Sequence, residues 1–313
     1  MAVDNTAQRA IERPFRSDED FWGVRNLLIE TYPITPTGFN WEVRRWDGWR
    51  FYAADPTWDS NWEKVVRLWE TEDRKLVGAV HPEGTGDAHL ELHPDYRHIE
   101  EDMIAWAEEH LSRSTDDGQR RQLSIFVFDY DLPRRGILEK RGYEKTPSGG
   151  VTRRLRFGNE PYPQPIIADG YILRTTRPQD DSDCQGIADI LNAAFNRDFH
   201  IAGEFRSLAI HAPCFRQDLD LVAVAPDGSF AAYVGAPYNE ANQYGVFEPV
   251  CTHPDHQRKG LARTLMLEAL HRLKALGATD VYVGTGDQVA ANRLYDSIGF
   301  TEAHKGCDWR KVF

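Results

Sequence analysis

The chain has 313 residues, a net charge of −12, 41% hydrophobic and 27% charged residues, which suits a globular protein with room for two domains. The acidity, shared by both halves, repels phosphate backbones and argues against nucleic acid as a partner, while a basic amine substrate is compatible. No apolar stretch approaches the ~18 residues of a membrane helix, residues 1–13 lack an apolar signal core, and the four cysteines show no metal spacing, so a cytoplasmic, metal-free protein with reduced thiols and no membrane attachment is expected.

Along the first half, an apolar opening (Ile11 to Arg16) leads to Asp18-Glu19-Asp20, an acidic cluster suited to a helix N-terminus. Eight of the nine tryptophans fall in this half: Trp22, Trp41, Trp46, Trp49, Trp58, Trp62, Trp69 and Trp106. Trp41, Trp46 and Trp49 share one short segment with Phe39, Phe51 and Tyr52, which reads either as core packing or as an aromatic wall for an acceptor pocket. Strands are predicted near 62–70, 75–81, 88–93, 122–128 and 151–157. His93-Pro94-Asp95-Tyr96-Arg97 precedes a helix, and Arg141-Gly142-Tyr143 ends another. Residues 158–168, with Pro161, Pro163 and Pro165, read as a linker.

The second half repeats the plan. Tyr171 to Arg177 with Asp180-Asp181 answers the opening, and strands are predicted near 171–174, 219–225, 230–235, 244–252, 281–283 and 308–313. His253-Pro254-Asp255 matches His93-Pro94-Asp95 at an offset of 253 − 93 = 160, and Gly299 matches Gly142 at 299 − 142 = 157. Similar offsets at three anchors indicate tandem domains, 1–157 and 169–313. His93 recurs in the turn, so His253 is read as structural.

The loop Gln257-Arg258-Lys259-Gly260-Leu261-Ala262 joins a strand to a helix pattern (Arg263 to Leu276). Unpaired amides and the positive helix end suit a phosphate there, and Arg258 and Lys259 add charge. Farther on, Asn292 and Tyr295 lie three apart on one face of a helix (289–298) stopped by Gly299. In the first copy these features are lost: Glu100 faces Gly260, within Glu100-Glu101-Asp102, and Arg135 and Leu138 face Asn292 and Tyr295.

Gln257 to Ala262 resembles the pyrophosphate-binding signature (Gln/Arg-x-x-Gly-x-Gly/Ala) of the GCN5-related N-acetyltransferase (GNAT) superfamily. Asn292-Arg293-Leu294-Tyr295 with Ile298-Gly299-Phe300 is similar to that superfamily's second motif, in the same order. The segments 247–250 and 282–286 look like those of tandem GNAT proteins related to mycothiol synthase, although nothing in the sequence identifies a sugar-thiol pocket. The resemblance implies an α/β (α+β) fold of two tandem GNAT domains, each a mixed, mostly antiparallel sheet flanked by helices. It implies a degenerate first domain and a catalytic second domain that takes acetyl-CoA as co-substrate.

The resemblance further implies direct acyl transfer to a primary amine of a small molecule or peptide. Backbone groups of Val250, Cys251 and Thr252 would meet the pantetheine arm and the amides of Arg258 to Ala262, with Gln257, the pyrophosphate. Asn292 would bond the cofactor or cap a turn, and Tyr295 would protonate the leaving thiolate. Glu248, in an otherwise apolar strand two residues before Val250, reads as the base, its pKa raised by apolar surroundings. Pro249 cannot donate, so the strand is expected to bend or open there. A coenzyme A-binding or sensing protein without turnover is the alternative, and a homodimer is compatible with the sequence.

Overall fold

The computed structural model describes residues 9–55, 61–286 and 288–313. The first half contains β1 (Ala10–Pro14), α1 (Asp18–Thr31), α2 (Val43–Phe51), α3 (Trp62–Val65), β2 (Arg67–Thr71), β3 (Leu76–His81) and β4 (Asp87–Leu92). Then come α4 (Glu100–His110), β5 (Arg113–Ser114), β6 (Arg121–Phe128), α5 (Leu132–Lys140) and β7 (Glu144–Arg156). The second half contains β8 (Ile172–Thr175), α6 (Asp181–Phe195), α7 (Ala202–His211), β9 (Asp220–Val224), β10 (Phe230–Gly235), β11 (Tyr238–Asn239) and β12 (Tyr244–Val246). It continues with β13 (Val250–Thr252), α8 (Leu261–Ala275), β14 (Asp280–Thr285), α9 (Val289–Ile298) and β15 (Glu302–Val312).

Two compact units form, and neither follows the division at 157/169. The described residues of Met1–Glu42, Thr57–Val151 and His304–Phe313 make the first; those of Val43–Pro56 and Thr152–Ala303 make the second. Thus α2 belongs to the second unit, and most of β15 belongs to the first. Because the two copies share one plan, a terminal strand from either copy carries the pattern that the other copy's sheet accepts.

In the first unit β1 to β4 form an antiparallel meander. β4 pairs parallel with β6, and β6 pairs antiparallel with β15. Alternate residues of β6 (Leu123, Ile125, Val127) are buried, the period of two of a sheet with one face on a core. Met103, Ile104 and Leu138 from α4 and α5 complete that core, and β15 adds Cys307 and Trp309. Residues 62–65 are helical where a strand was expected, and extended backbone begins at Val66.

The second unit holds two sheet segments. One is antiparallel, in the order β13-β10-β9-β8. In the other, β12 pairs antiparallel with β11 and parallel with β14, and β14 neighbours β7. The expected single strand over 244–252 is therefore two strands in different sheets, parted at Phe247–Pro249. Proline's missing donor bends the strand there, as expected: the Gly235 amide donates to the Pro249 carbonyl at 3.1 Å, and because Pro249 has no N–H the Gly235 carbonyl accepts from the Glu248 amide instead, at 2.9 Å. The Glu248–Pro249 peptide is cis. Helix α8 buries Leu261, Leu265, Leu270 and Leu273 against Leu221, Val234 and Val281, while α6 and α7 cover the opposite face with Ile187, Leu191 and Phe205. Among the described residues, no helix is long and apolar enough to cross a membrane.

Candidate active site

The loop before α8 has the form its sequence requires. His253 Nδ1 accepts from the Asp255 amide at 3.3 Å and starts a short turn; His93 and Asp95 make the same contact in the first unit, so His253 has the structural role expected. Gly260 is the N-cap of α8 at φ +76°, and Arg258 stands at φ +63°. A left-handed N-cap favours glycine, and a Cβ there would meet nothing within 4 Å, so the demand on Gly260 is conformational rather than steric. Among the described residues, no backbone carbonyl is recorded accepting from the amides of Arg258 to Ala262. The loop is exposed, at the positive end of a 15-residue helix. The Lys259 ammonium donates to the Tyr171 hydroxyl at 2.6 Å and lies 5.2 Å from that ring, and Tyr171 bonds His256 at 2.8 Å. This holds one cation at the side of the loop.

Register defines the neighbouring slot. Ala232, Tyr233 and Val234 stand opposite Thr252, Cys251 and Val250, and the amides of His253 and Gly235 donate to Ala231 and Pro249. Bonded pairs in an antiparallel ladder alternate, so Cys251 spends its backbone on Tyr233, while Val250 and Thr252 point theirs away from β10. β13 is the edge of its sheet, so those groups have no strand partner within it. Two of the three expected pantetheine contacts are thereby available, and Cys251 is not. Its thiol faces the α6/α7 side, where burial pushes its pKa up to about 12, which disqualifies it as a nucleophile.

Tyr295 on α9 is buried in the α8-side core, 6.0 Å from the Phe300 ring. Burial first, and then the negative charge of Glu248, push its pKa up to about 12, with Arg153 opposing. The phenol keeps its proton at neutral pH. Glu248 itself departs from expectation: it lies in the parted segment rather than within a strand and is exposed. The apolar enclosure expected around it is absent, and the alternation rule does not carry across the break to Val250. Asn292 serves as a cap: its amide donates to Gly286 and Gln288 carbonyls at 3.0 Å each, and its oxygen accepts from Arg153 at 2.9 Å. It shapes the start of α9 and has no polar atom left over from that network.

The aromatic segment is divided. Phe39 and Trp41 lie in the first unit, whereas Trp46, Trp49, Phe51 and Tyr52 belong to the second; Trp58 lies outside the described residues. Trp46 is fully buried with its ring 5.4 Å from Trp49, the Val43 amide donates to Tyr244 at 3.3 Å, and Phe51 stacks on His211 at 6.4 Å. Tyr52 sits 5.9 Å from the His200 ring on the α6/α7 side, and burial raises its pKa.

Sequence reasoning missed Asp220. It is 4% exposed at the start of β9, opposite Gly235, and accepts hydrogen bonds from Tyr233 at 2.8 Å and from Thr176. The available signal was an acid opening an otherwise apolar strand.

In the first unit the place of Gly260 is taken by Glu100, fully buried and right-handed at φ −63°. Its carboxylate pairs with Arg97 at 2.9 Å and with Arg134, and Asp131 caps α5 while pairing with Arg97 at 2.7 Å. Acidic side chains and guanidinium groups thus close the counterpart of the phosphate loop.

Residues 184–300 match the Acetyltransferase (GNAT) family. No curated protein matches the chain. Among solved structures, a GCN5-related N-acetyltransferase from Sphaerobacter thermophilus is similar at TM-score 0.66 and 16% identity, covering 97% of this chain and 95% of its own. A tandem GNAT protein from the clavulanic acid biosynthesis pathway aligns at TM-score 0.61 and 15% identity, over 97% and 98%. A GNAT-family acetyltransferase from Colwellia psychrerythraea gives 0.59 at 10% identity, over 96% and 99%. At these identities the structures speak for the fold, which is that of tandem GNAT proteins along nearly the whole chain, and the family match is confined to residues 184–300 of the second half.

Proposed function

We propose that the second unit transfers an acetyl group from acetyl-CoA to a primary amine of a small molecule or peptide, by direct attack. The observation that carries this reading is the slot beside β13, whose free Val250 and Thr252 backbone groups lead from the exposed amides of the Gly260 loop. Amides of Arg258 to Ala262, with Gln257, would hold the pyrophosphate, and backbone groups of Val250 and Thr252 the pantetheine arm. The Val250 N–H would stabilise the oxyanion that forms when the amine attacks the thioester carbon. Tyr295, protonated at neutral pH, would protonate the leaving sulfur. Glu248, exposed at the break, would take a proton from the arriving ammonium. The same groups without turnover would make a coenzyme A sensor, and the mycothiol synthase resemblance names no acceptor. Calorimetry with coenzyme A, followed by a thiol-release screen of amines with acetyl-CoA, separates the readings: binding with no acetylated amine would sink the transferase.

A further inference from the structure

Two features of Asp220 are not used by the steps above. It is a buried carboxylate for which no lysine, arginine or histidine partner is recorded among the described residues, its recorded side-chain partners being the hydroxyls of Tyr233 and Thr176. Two hydroxyl donors compensate a buried negative charge poorly, and asparagine would accept the same bonds without one. It also lies against the strand break. Strand alternation puts Asp220, Tyr233 and Cys251 on the α6/α7 face, where Gly235 stands opposite Asp220. A Cβ on Gly235 would sit 2.7 Å from the Glu248 carbonyl oxygen and 3.4 Å from Asp220 Oδ1. Only a glycine lets that carboxylate and the parted segment come so close. Tyr295 belongs to the core on the α8 face. The break is therefore flanked by a phenol on one face and a buried carboxylate on the other.

We propose that Asp220, through the Tyr233 hydroxyl, accepts the second proton of the acceptor nitrogen. The inference rests on the transferase reading. An ammonium must lose two protons to become an amide, and Glu248 accounts for one. With that proton gone, the nitrogen attacks the acetyl carbon, the N–C bond forms, and the nitrogen becomes positive. Its proton moves to the Tyr233 oxygen as Tyr233's own hydrogen passes to Asp220. The C–S bond breaks, and the sulfur takes the Tyr295 proton. Protonated Glu248 returns its proton to the Tyr295 phenolate, and Asp220 releases its proton to water through the same hydroxyl. One proton leaves per turnover, as the reaction requires.

Burial pushes the Asp220 pKa up to about 7, with the Tyr233 and Thr176 hydrogen bonds opposing. That suits an acceptor working near neutral pH. The charged and titratable groups facing this cluster are Tyr233 on β10 and Cys251 on β13, both held neutral by burial, Tyr52 and Arg44 from the 43–55 segment, Glu204 on α7 with its partner His200, and Glu248 in the break.

The test uses Asp220→Asn and Tyr233→Phe in the full chain. Infrared titration of the wild type should show a protonated carboxylic acid persisting to about pH 7 and missing in Asp220→Asn. With an accepted amine, Asp220→Asn should lose roughly 10²-fold in rate and the acidic limb near neutral pH, while coenzyme A affinity is kept. Tyr233→Phe should lose rate but keep the infrared band. Absence of the band, or a wild-type rate and pH profile in Asp220→Asn, overturns the assignment to Asp220. A wild-type rate in Tyr233→Phe overturns the relay. A wild type that binds coenzyme A but acetylates no amine defeats the transferase reading itself, before any substitution is made.

Discussion

At the scale of single residues, Gly260 and Tyr295 were legible because each answers a local rule, a left-handed helix cap and a tyrosine on a marked helix face. Gly260→Ala keeps open space around the Cβ but puts an L side chain at φ +76°, costing roughly 1 kcal/mol of stability. Gly260→Glu adds a carboxylate beside the pyrophosphate, so coenzyme A should bind more weakly than to the alanine variant by about 2 kcal/mol in calorimetry, and less so at high salt. Equal affinities would remove the phosphate role from this loop. Tyr295→Phe should spare coenzyme A affinity and cut acetyl transfer by roughly 10²-fold, measured by thiol release. Asp220 was not legible, because its significance comes from what covers it. Its folded pKa, raised to about 7 from 3.8, means that the native state binds the extra proton between those values. Stability then falls as pH rises from about 4 to about 7, by up to roughly 4 kcal/mol, and stays lowered above that. Asp220→Asn lacks this loss, so its melting temperature should exceed the wild type's at pH 8 and converge with it near pH 4. A constant difference would deny the buried charge.

At the scale of elements, most strands and the helix stops at Gly142 and Gly299 followed from period and punctuation, and Pro249 marked the parting of β12 from β13. Partner choice did not follow. The pattern of 308–313 says that a strand forms; it does not say that β15 lies beside β6, because the repeated plan makes either sheet an equal host. Likewise, the aromatic run 39–52 signalled burial but not that 43–55 would serve the second unit. The exchange has a consequence for truncation. Removing residues 304–313 strips Cys307 and Trp309 from the first unit's core and leaves β6 without the neighbour that pairs its residues Gln122 to Phe128. Buried aromatic loss alone costs about 3 kcal/mol, a large part of a domain's stability. The amides of β4 and β6 should therefore lose their protection from hydrogen exchange in the truncated chain, whereas a terminal strand serving only its own copy would leave them protected.

At the scale of the whole molecule, one plan used twice has yielded one exposed, glycine-capped loop and one counterpart closed by the chain's own charges. In the second unit, exposed amides stand at a glycine cap; in the first, Glu100 occupies that position in right-handed backbone and is bound by Arg97 and Arg134. Coenzyme A should therefore bind once per chain. The closure is deeper than one side chain, which gives a sharper expectation. Glu100→Gln removes the nearer of two anionic partners of a buried Arg134 guanidinium, leaving Asp131 at 3.7 Å, and the Arg134 Nη2 already has no hydrogen-bond acceptor. Breaking a buried ion pair from one side costs about 3 kcal/mol, so that variant should melt below the wild type. It should not gain a second coenzyme A site, because position 100 stays helical and its amides remain turned into α4. Calorimetry that finds two equivalents bound, in either protein, would mean that the first unit's loop opens in a way its ion pairs oppose.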